Sequence, residues 1–110
     1  MLLAKKPTID LLHIFVQLYK LVTRLEKRII KDLKAGNFVL TLHARERMNE
    51  RFVSELDIVE VGHTLKSIRY QANTDTYLLT GLNTWKEKLM VSAAFRDKVI
   101  IVTVFFEEHT

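Results

Sequence analysis

Three side chains that can bind or transfer charge recur at intervals of four residues: His43, Arg47 and Arg51. Residues four apart lie nearly above one another on a helix, so these three share one stripe, which we call the His/Arg stripe. An imidazole titrates near neutral pH and can transfer a proton. A guanidinium can hold a phosphate through paired hydrogen bonds. The stripe therefore predicts a site for an anion, with one group able to move a proton.

A second interpretation of the same residues stays open. His43 can instead cap the helix or lie at the edge of a core, bonded to backbone. The two arginines can be a solvated helix face, with Arg47 paired to Glu46 or Glu50. Exposed ion pairs of that kind are common and contribute little.

The elements that position the stripe follow from the flanking sequence. Residues 38–42 form a short run typical of a strand, and residues 43–51 contain no Gly, Pro or β-branched residue and favour helix. Ser54 and Asp57 have the spacing of a capping box, which predicts a second helix reaching about Leu65. The stripe thus lies between a first strand and a capped helix.

A long helix is expected before this unit. Thr8 is its predicted N-cap and Gly36 its stop, with one helix, or two with a bend, between them. A heptad seam of apolar residues runs along it: Leu11, Phe15, Leu18, Val22, Leu25 and Ile29. Because its first half is apolar nearly all round, we expect it to pack against a second copy or another protein, or to bend back over its own domain. We divide the chain into a helical extension, 1–36, and a domain, 37–110.

From Lys66 onward, apolar residues recur at every second position. Strands are predicted over 67–71, 76–82, 88–95 and 99–106, separated by turns such as 73–75 and 96–98. The last strand is apolar on both faces and is placed inside the sheet. The fold class is therefore α+β, with N-terminal helices on a curled antiparallel sheet of four to five strands.

Composition limits the classes of function. The chain has no Cys, so disulfides and thiolate metal sites are excluded and a reducing cytoplasm is expected. The net charge of +4 mildly favours an anionic partner such as nucleic acid. No apolar run reaches the roughly 18 residues of a membrane span, so no membrane partner is expected. The histidines are widely spread and no Gly-rich phosphate loop is present, so we expect neither metal nor cofactor.

Four features of the chain resemble a small bacterial family. They are the run His43-Ala44-Arg45-Glu46-Arg47-Met48-Asn49-Glu50-Arg51, the cap at Ser54, the strand around Tyr77 and the closing Val102-Thr103-Val104-Phe105. That family is the domain of unknown function 4258. It is similar in fold to the RelE-type toxins, within the barnase–EndoU–colicin–RelE group of ribonucleases. The resemblance covers about residues 38–107.

This resemblance implies a toxin-type endoribonuclease that cleaves RNA without a metal, with an antitoxin-like protein as partner. The polar signature of the family falls on His43, Arg47, Arg51 and Thr103. Where the family often ends in Tyr, this chain has Phe105. The alternative is therefore a catalytically inactive module of the same fold that binds RNA or protein. In that alternative the N-terminal helix mediates a homodimer or a partner contact.

Cleavage needs a second proton-transfer group beside His43, and the sequence leaves four candidates: Tyr70, Tyr77, Lys86 and Lys88. Trp85 stands in a polar turn beside these two lysines. Such a Trp either stacks on a nucleobase or covers the end of a small core.

Overall fold

The computed structural model describes residues 10–107, without the side chain of Val22. Three helices and five strands follow one another along this part of the chain. Their order is α1 (Leu11–Ala35), β1 (Phe38–Leu40), α2 (Leu42–Arg51), α3 (Glu55–His63), β2 (Ser67–Gln71), β3 (Thr76–Leu82), β4 (Lys88–Phe95) and β5 (Val99–Phe106). The α+β class is confirmed, and so are the four strands predicted from residue 67 onward.

The sheet is mixed, not antiparallel as the sequence predicted. Its strand order is β1-β5-β4-β3-β2, and β1 runs parallel to β5, with Phe38 opposite Val99 and Leu40 opposite Ile101. The other neighbouring pairs are antiparallel. Hairpin signals report only on strands that follow one another, whereas β1 meets β5 after two helices and three strands. The interior position predicted for β5 is confirmed.

The long helix α1 is continuous over 25 residues and ends at Gly36. Gly36 adopts φ 73°, a left-handed conformation that a residue without a Cβ takes readily. The Asp10 side chain caps the first turn by accepting from the Leu12 amide at 3.1 Å. Thr8, the predicted N-cap, lies outside the described residues.

The two halves of α1 have different environments. Residues 11–21 are all exposed, whereas Ile29 and Leu33 are completely buried in the core. The second half of α1 therefore packs with the domain, chiefly against α3. The division of the chain at residue 36 stays a prediction. Among the described residues, no helix has both the length and the hydropathy that crossing a membrane requires.

Strand β1 ends two residues earlier than predicted, because Thr41 caps the next helix. The Thr41 hydroxyl accepts from the Ala44 amide at 3.0 Å and donates to the Val102 carbonyl of β5 at 3.2 Å. A capping residue needs extended backbone and a free hydroxyl. Beyond β1, α2 then runs beside β5 and buries Ala44 and Met48.

The predicted capping box at the start of α3 is confirmed. Ser54 and Asp57 exchange hydrogen bonds through both side chains and both amides. Farther along, α3 approaches β3 so closely that a Cβ on Gly81 would stand 2.6 Å from the Val61 carbonyl oxygen. Contact at that distance explains why a residue without a side chain occupies this position in the strand.

The helices pack on one face of the sheet, against Leu79, Val91, Ile101 and Val104. Side chains alternate between faces along a strand, so the register defines a second set on the opposite face. This open face carries Ser67, Arg69, Leu78, Thr80, Lys88, Met90, Ser92, Thr103 and Phe105.

Candidate functional site

Helix α2, which carries the His/Arg stripe, lies along the outer edge of β5. Thr41, at the start of α2, binds the Val102 carbonyl, and Arg51, at the end of α2, binds the Val104 carbonyl. The helix therefore follows β5 past the point where β1 stops. Through Thr41 and Arg51 it donates hydrogen bonds to backbone carbonyls of β5 that would otherwise bind only water, as on any edge strand.

The three members of the stripe have different surroundings. His43 is exposed near the first turn of α2. Arg47 is half-buried and its Nη1 donates to both carboxylate oxygens of Glu50, one turn farther on. This ion pair is one that the solvated-face interpretation predicted. An incoming phosphate must therefore compete with Glu50 for Arg47.

Of the two arginines in the stripe, Arg51 is the one that forms no ion pair with a carboxylate in the described structure. Its Nη1 donates to the Val104 carbonyl oxygen at 3.3 Å, a long hydrogen bond to a neutral acceptor. A guanidinium has five N–H donors, so this single contact leaves most of them free for a ligand. The bond to β5 also orients the side chain toward the end of the sheet.

Thr103 is half-buried and pairs with Ser92 across β4 and β5. Both side chains point to the open face, since the next pair, Val91 and Val104, is buried in the core. Thr103 thus precedes the residue that Arg51 binds. The structure places Arg51 and Thr103 at the same stretch of β5, with His43 one helix length away.

A cleft opens at the end of the sheet beside Arg51. It has a volume of about 490 Å³. We call it the aromatic cleft, and its lining residues are Arg51, Phe52, Asn83, Trp85, Glu87 and Phe106. Phe52 follows α2 directly and is 92% exposed, and Trp85 lies in the turn between β3 and β4 and is 80% exposed. Trp85 therefore does not cover the end of the core.

Two further hollows continue from the aromatic cleft. Arg51 and Phe106 also line a second hollow of about 490 Å³, together with Met90, Phe105 and Glu107. Met90 and Glu107 in turn line a third, of about 220 Å³, on the open face. That third hollow adds Arg69, Lys88 and two hydroxyl residues, Ser67 and Thr80. Shared lining residues thus connect the aromatic cleft to cationic side chains on the sheet.

The turn that carries Trp85 is held by a buried amide. The Asn83 Oδ1 accepts from the Trp85 amide at 3.0 Å and from the Glu87 amide at 2.8 Å. Its Nδ2 donates to the Glu87 carboxylate at 3.1 Å. One side chain therefore satisfies two backbone amides of the turn, and the indole projects from a fixed base.

Asp57 connects this turn to α3. Its Oδ1 accepts from the Thr84 amide at 2.9 Å and from the Thr84 hydroxyl at 2.6 Å, while its Oδ2 serves Ser54 in the capping box. Burial alone raises the pKa of Asp57, but the hydrogen bonds from Ser54 and Thr84 outweigh burial and lower the pKa below its ordinary value. The carboxylate therefore stays charged and holds the turn.

The four candidates for a second proton-transfer group separate into two locations. Tyr70 binds Asp75 at the other end of the sheet, and this hydrogen bond raises the pKa of Tyr70. Burial on the helix-covered face raises the pKa of Tyr77. Both phenols are thereby made weaker acids. Lys86 follows Trp85 in the turn, and Lys88 lines the third hollow in an ion pair with Glu107 at 3.0 Å.

Sequence reasoning did not find Phe52, Arg69 or Phe106 as members of the site. Phe52 follows the stripe directly, yet a Phe after a helix is usually read as part of a core. Arg69 is separated from Arg51 by 18 positions and reaches the same surface only because β2 and β4 flank β3. The signal that could have found Arg69 is the alternation of side chains along β2, which places Arg69 on the face opposite to the core.

Comparison of the chain with family models, curated proteins and solved structures found no match in any of the three. The likeness to the domain of unknown function 4258 and to RelE-type toxins therefore stays a prediction from the residues themselves.

Proposed function

We propose that this chain binds RNA at the His/Arg stripe and the adjoining hollows and cleaves it there without a metal, as a RelE-like endoribonuclease. One observation carries the proposal: Arg51, the last residue of the stripe, lies where α2, β5 and the aromatic cleft meet. Cationic, aromatic and hydroxyl side chains adjoin one another there, and RNA recognition uses all three.

The chemistry assigned to the stripe is proton transfer and charge stabilisation. The neutral imidazole of His43 takes the proton of a ribose 2′-hydroxyl, and the resulting oxygen attacks the adjacent phosphorus. The bond from phosphorus to the 5′-oxygen breaks, which leaves a 2′,3′-cyclic phosphate. The 5′-oxygen receives a proton from a second group. Arg51, and Arg47 once released from Glu50, stabilise the charge that develops on the phosphate.

Of the four candidates for the second proton transfer, Lys86 follows Trp85 of the aromatic cleft and Lys88 lines the third hollow, whereas His43 lies one helix length from Arg51. The proposal therefore assigns neither lysine to the phosphorus that His43 serves. In this proposal Thr103 supplies a hydroxyl to the phosphate or ribose from the open face of β5. Its assignment rests on the resemblance.

A second candidate function is RNA or protein binding without cleavage. Two observations favour it: Phe105 replaces the tyrosine common in the family, and Glu50 neutralises Arg47. The N-terminal half of α1, with its exposed apolar residues, then mediates contact with a second copy or with an antitoxin-like protein.

Incubating the purified protein with a mixed-sequence RNA in the presence of EDTA tests the first function. We expect cleavage that falls by about 10²–10⁴-fold in His43→Ala, the range of a lost acid–base group. Arg51→Ala should lose about 10²-fold or more. His63→Ala and Arg45→Ala are matched controls, because both side chains are exposed on helices and lie outside the stripe.

The result also separates the two candidate functions. Cleavage that is equal in His43→Ala, Arg51→Ala and the wild type excludes the stripe as the catalytic site. Salt-dependent binding of RNA with no cyclic phosphate product leaves the binding module as the function.

A further inference from the structure

Phe52 and Trp85 are two large aromatic side chains on the surface, at 92% and 80% exposure. They come from different elements and line the same cleft. Single exposed apolar residues need no explanation, but paired aromatic side chains around a cavity mark sites of recognition. Arg51 lies in the same cleft, and Trp and Arg are the residues that most often dominate binding energy.

The backbone at Phe52 holds a conformation that is costly for a bulky residue. Phe52 adopts φ 56° and ψ 43°, the left-handed region that glycine and asparagine tolerate. The conformation ends α2, with the Phe52 amide donating to the Met48 carbonyl. A glycine there would make the same cap with no strain and no exposed ring. Strain kept in a bulky exposed residue indicates that the ring has a use outside the fold.

The chemistry of the cleft indicates its occupant. Aromatic walls bind a flat π system, and the guanidinium of Arg51 binds an anion attached to it. Lys86 follows Trp85, and the connected hollows carry Lys88 and Arg69, while the carboxylates of Glu87 in the cleft and Glu107 in the hollows oppose them. A volume of about 490 Å³ is within the ordinary range of small-ligand sites. A nucleotide combines a flat base, an anion and a size that suit this site.

We propose that the aromatic cleft holds one unpaired nucleobase of single-stranded RNA against Phe52 and Trp85, with the adjoining phosphate on Arg51. The inference rests on the proposed RNA-binding function and names its substrate class. The strand continues from Arg51 across the second hollow to the third, where Lys88 and Arg69 meet its next phosphates. A duplex is excluded, because its bases are stacked and paired and do not enter a cleft singly.

Trp85 is the only tryptophan in the chain, so its fluorescence reports directly on the cleft. The probe is a short 2′-O-methyl oligouridylate, which cannot be cleaved through its 2′-oxygen. We expect it to quench and shift the Trp85 emission with a saturable curve. An abasic ribose-phosphate oligomer of equal length should bind more weakly and leave the emission unchanged. A blunt duplex of the same sequence should likewise leave the emission unchanged.

Variants assign the contact to the two rings. Phe52→Asn removes a ring and suits the left-handed backbone, and Trp85→Phe keeps a ring whereas Trp85→Ala removes it. With a fluorescein-labelled probe followed by anisotropy, we expect Phe52→Asn and Trp85→Ala to weaken binding roughly 5- to 150-fold, the effect of one lost base stack. Trp85→Phe should bind nearly as wild type. Leu42→Asn, which removes an exposed apolar side chain from the other end of α2, is the matched control.

The outcomes that overturn the inference are specific. Binding seen by anisotropy with no change in Trp85 emission, equal quenching by the abasic oligomer, or unchanged affinity in both ring variants each excludes base stacking in the cleft. No binding of the oligouridylate excludes it as well, and leaves a protein partner as the occupant. Quenching without any cleavage of ordinary RNA keeps the cleft and removes the nuclease. Cleavage of RNA that is unaffected in Trp85→Ala keeps the nuclease and removes base binding in the cleft.

Discussion

Asp57 shows how one carboxylate connects local structure to the candidate site. It completes the capping box of α3 with Ser54 and fixes Thr84, the residue before Trp85. Hydrogen bonds to a charged group are stronger than those between neutral groups. The position of the indole therefore depends on a side chain that belongs to a different element.

Asp57→Asn should destabilise the fold by about 2–3 kcal/mol, since the amide keeps the geometry but loses charge-assisted bonds. The pKa of the folded-state carboxyl is lowered, so its stabilising contribution is complete above the ordinary pKa and is lost as pH falls through the folded value. The difference between wild type and variant in urea unfolding should thus be largest above about pH 5 and shrink below about pH 4. Asp97→Asn, at an exposed turn position, should change little; a constant difference at every pH would contradict the assignment.

Phe52 is a residue whose removal should stabilise the protein. The left-handed conformation costs a bulky residue about 1–2 kcal/mol, and Asn adopts it more readily. Because the ring is almost fully exposed, its loss removes little packing. We expect Phe52→Asn to raise the Tm by several degrees, at about 4–8 °C per kcal/mol for a domain of this size. Phe52→Ala, which keeps the strain, should not; a Tm below wild type in Phe52→Asn would mean that the ring supports the fold.

At the scale of elements, the sequence predicted the helix ends and strand bounds that depend on residues close together in the chain. Gly36 ended α1, Ser54 and Asp57 began α3, and the alternation after Lys66 set the bounds of β2 to β5. Each of these depends on local hydrogen bonding or on alternate burial along one strand. The parallel pairing of β1 with β5 was not predicted, because nothing in residues 38–40 identifies a partner about 60 positions away.

The candidate site divides in the same way. The spacing of His43, Arg47 and Arg51 predicted one helix face, and that face exists. The cleft beside Arg51 was not predictable, because Phe52, Trp85 and Phe106 come together only through packing of α2, the turn after β3 and the end of β5. None of these three residues is unusual at its own position in the sequence. The cleft exists only because the fold brings them together.

Gly81, where β3 meets α3, is the glycine at which an added Cβ would come closest to a neighbouring element. A Cβ on Gly81 would meet the Val61 carbonyl oxygen at 2.6 Å and the Thr64 hydroxyl at 3.0 Å, both in α3 or its cap. Gly81→Ala should therefore force α3 away from the sheet and destabilise the fold by about 1–3 kcal/mol or more. Gly62→Ala is the comparison: its Cβ would stand 3.1 Å from the Lys34 amide nitrogen of α1, a milder crowding, and Ala gains helix propensity there, so we expect a smaller loss. A denaturation midpoint of Gly81→Ala equal to that of the wild type would show that α3 yields easily.

At the scale of the molecule, the described chain is elongated, with extents of 68 × 33 × 23 Å. The first half of α1 projects from the domain with eight apolar side chains that are 38–73% exposed: Leu11, Leu12, Ile14, Phe15, Val16, Leu18, Tyr19 and Leu21. Contiguous exposed apolar surface of this kind marks an interaction site. The bend back over the domain that the sequence left open is absent from the described helix, which is continuous from Leu11 to Ala35.

We therefore expect the chain to self-associate through this half of α1, with Phe15 and Leu18 on the seam. Leu18→Glu places a charge on the seam and should convert the oligomer to a monomer in sedimentation velocity, whereas His13→Glu, off the seam, should not. Substitution is a sharper test than removing everything before Gly36, because that deletion also takes Ile29 and Leu33 from the core. A wild type that sediments as a monomer at all concentrations would exclude the homodimer and assign this surface to a different protein. If Leu18→Glu is monomeric and still binds RNA, the stripe and the cleft function within one copy, and the first half of α1 acts in assembly alone.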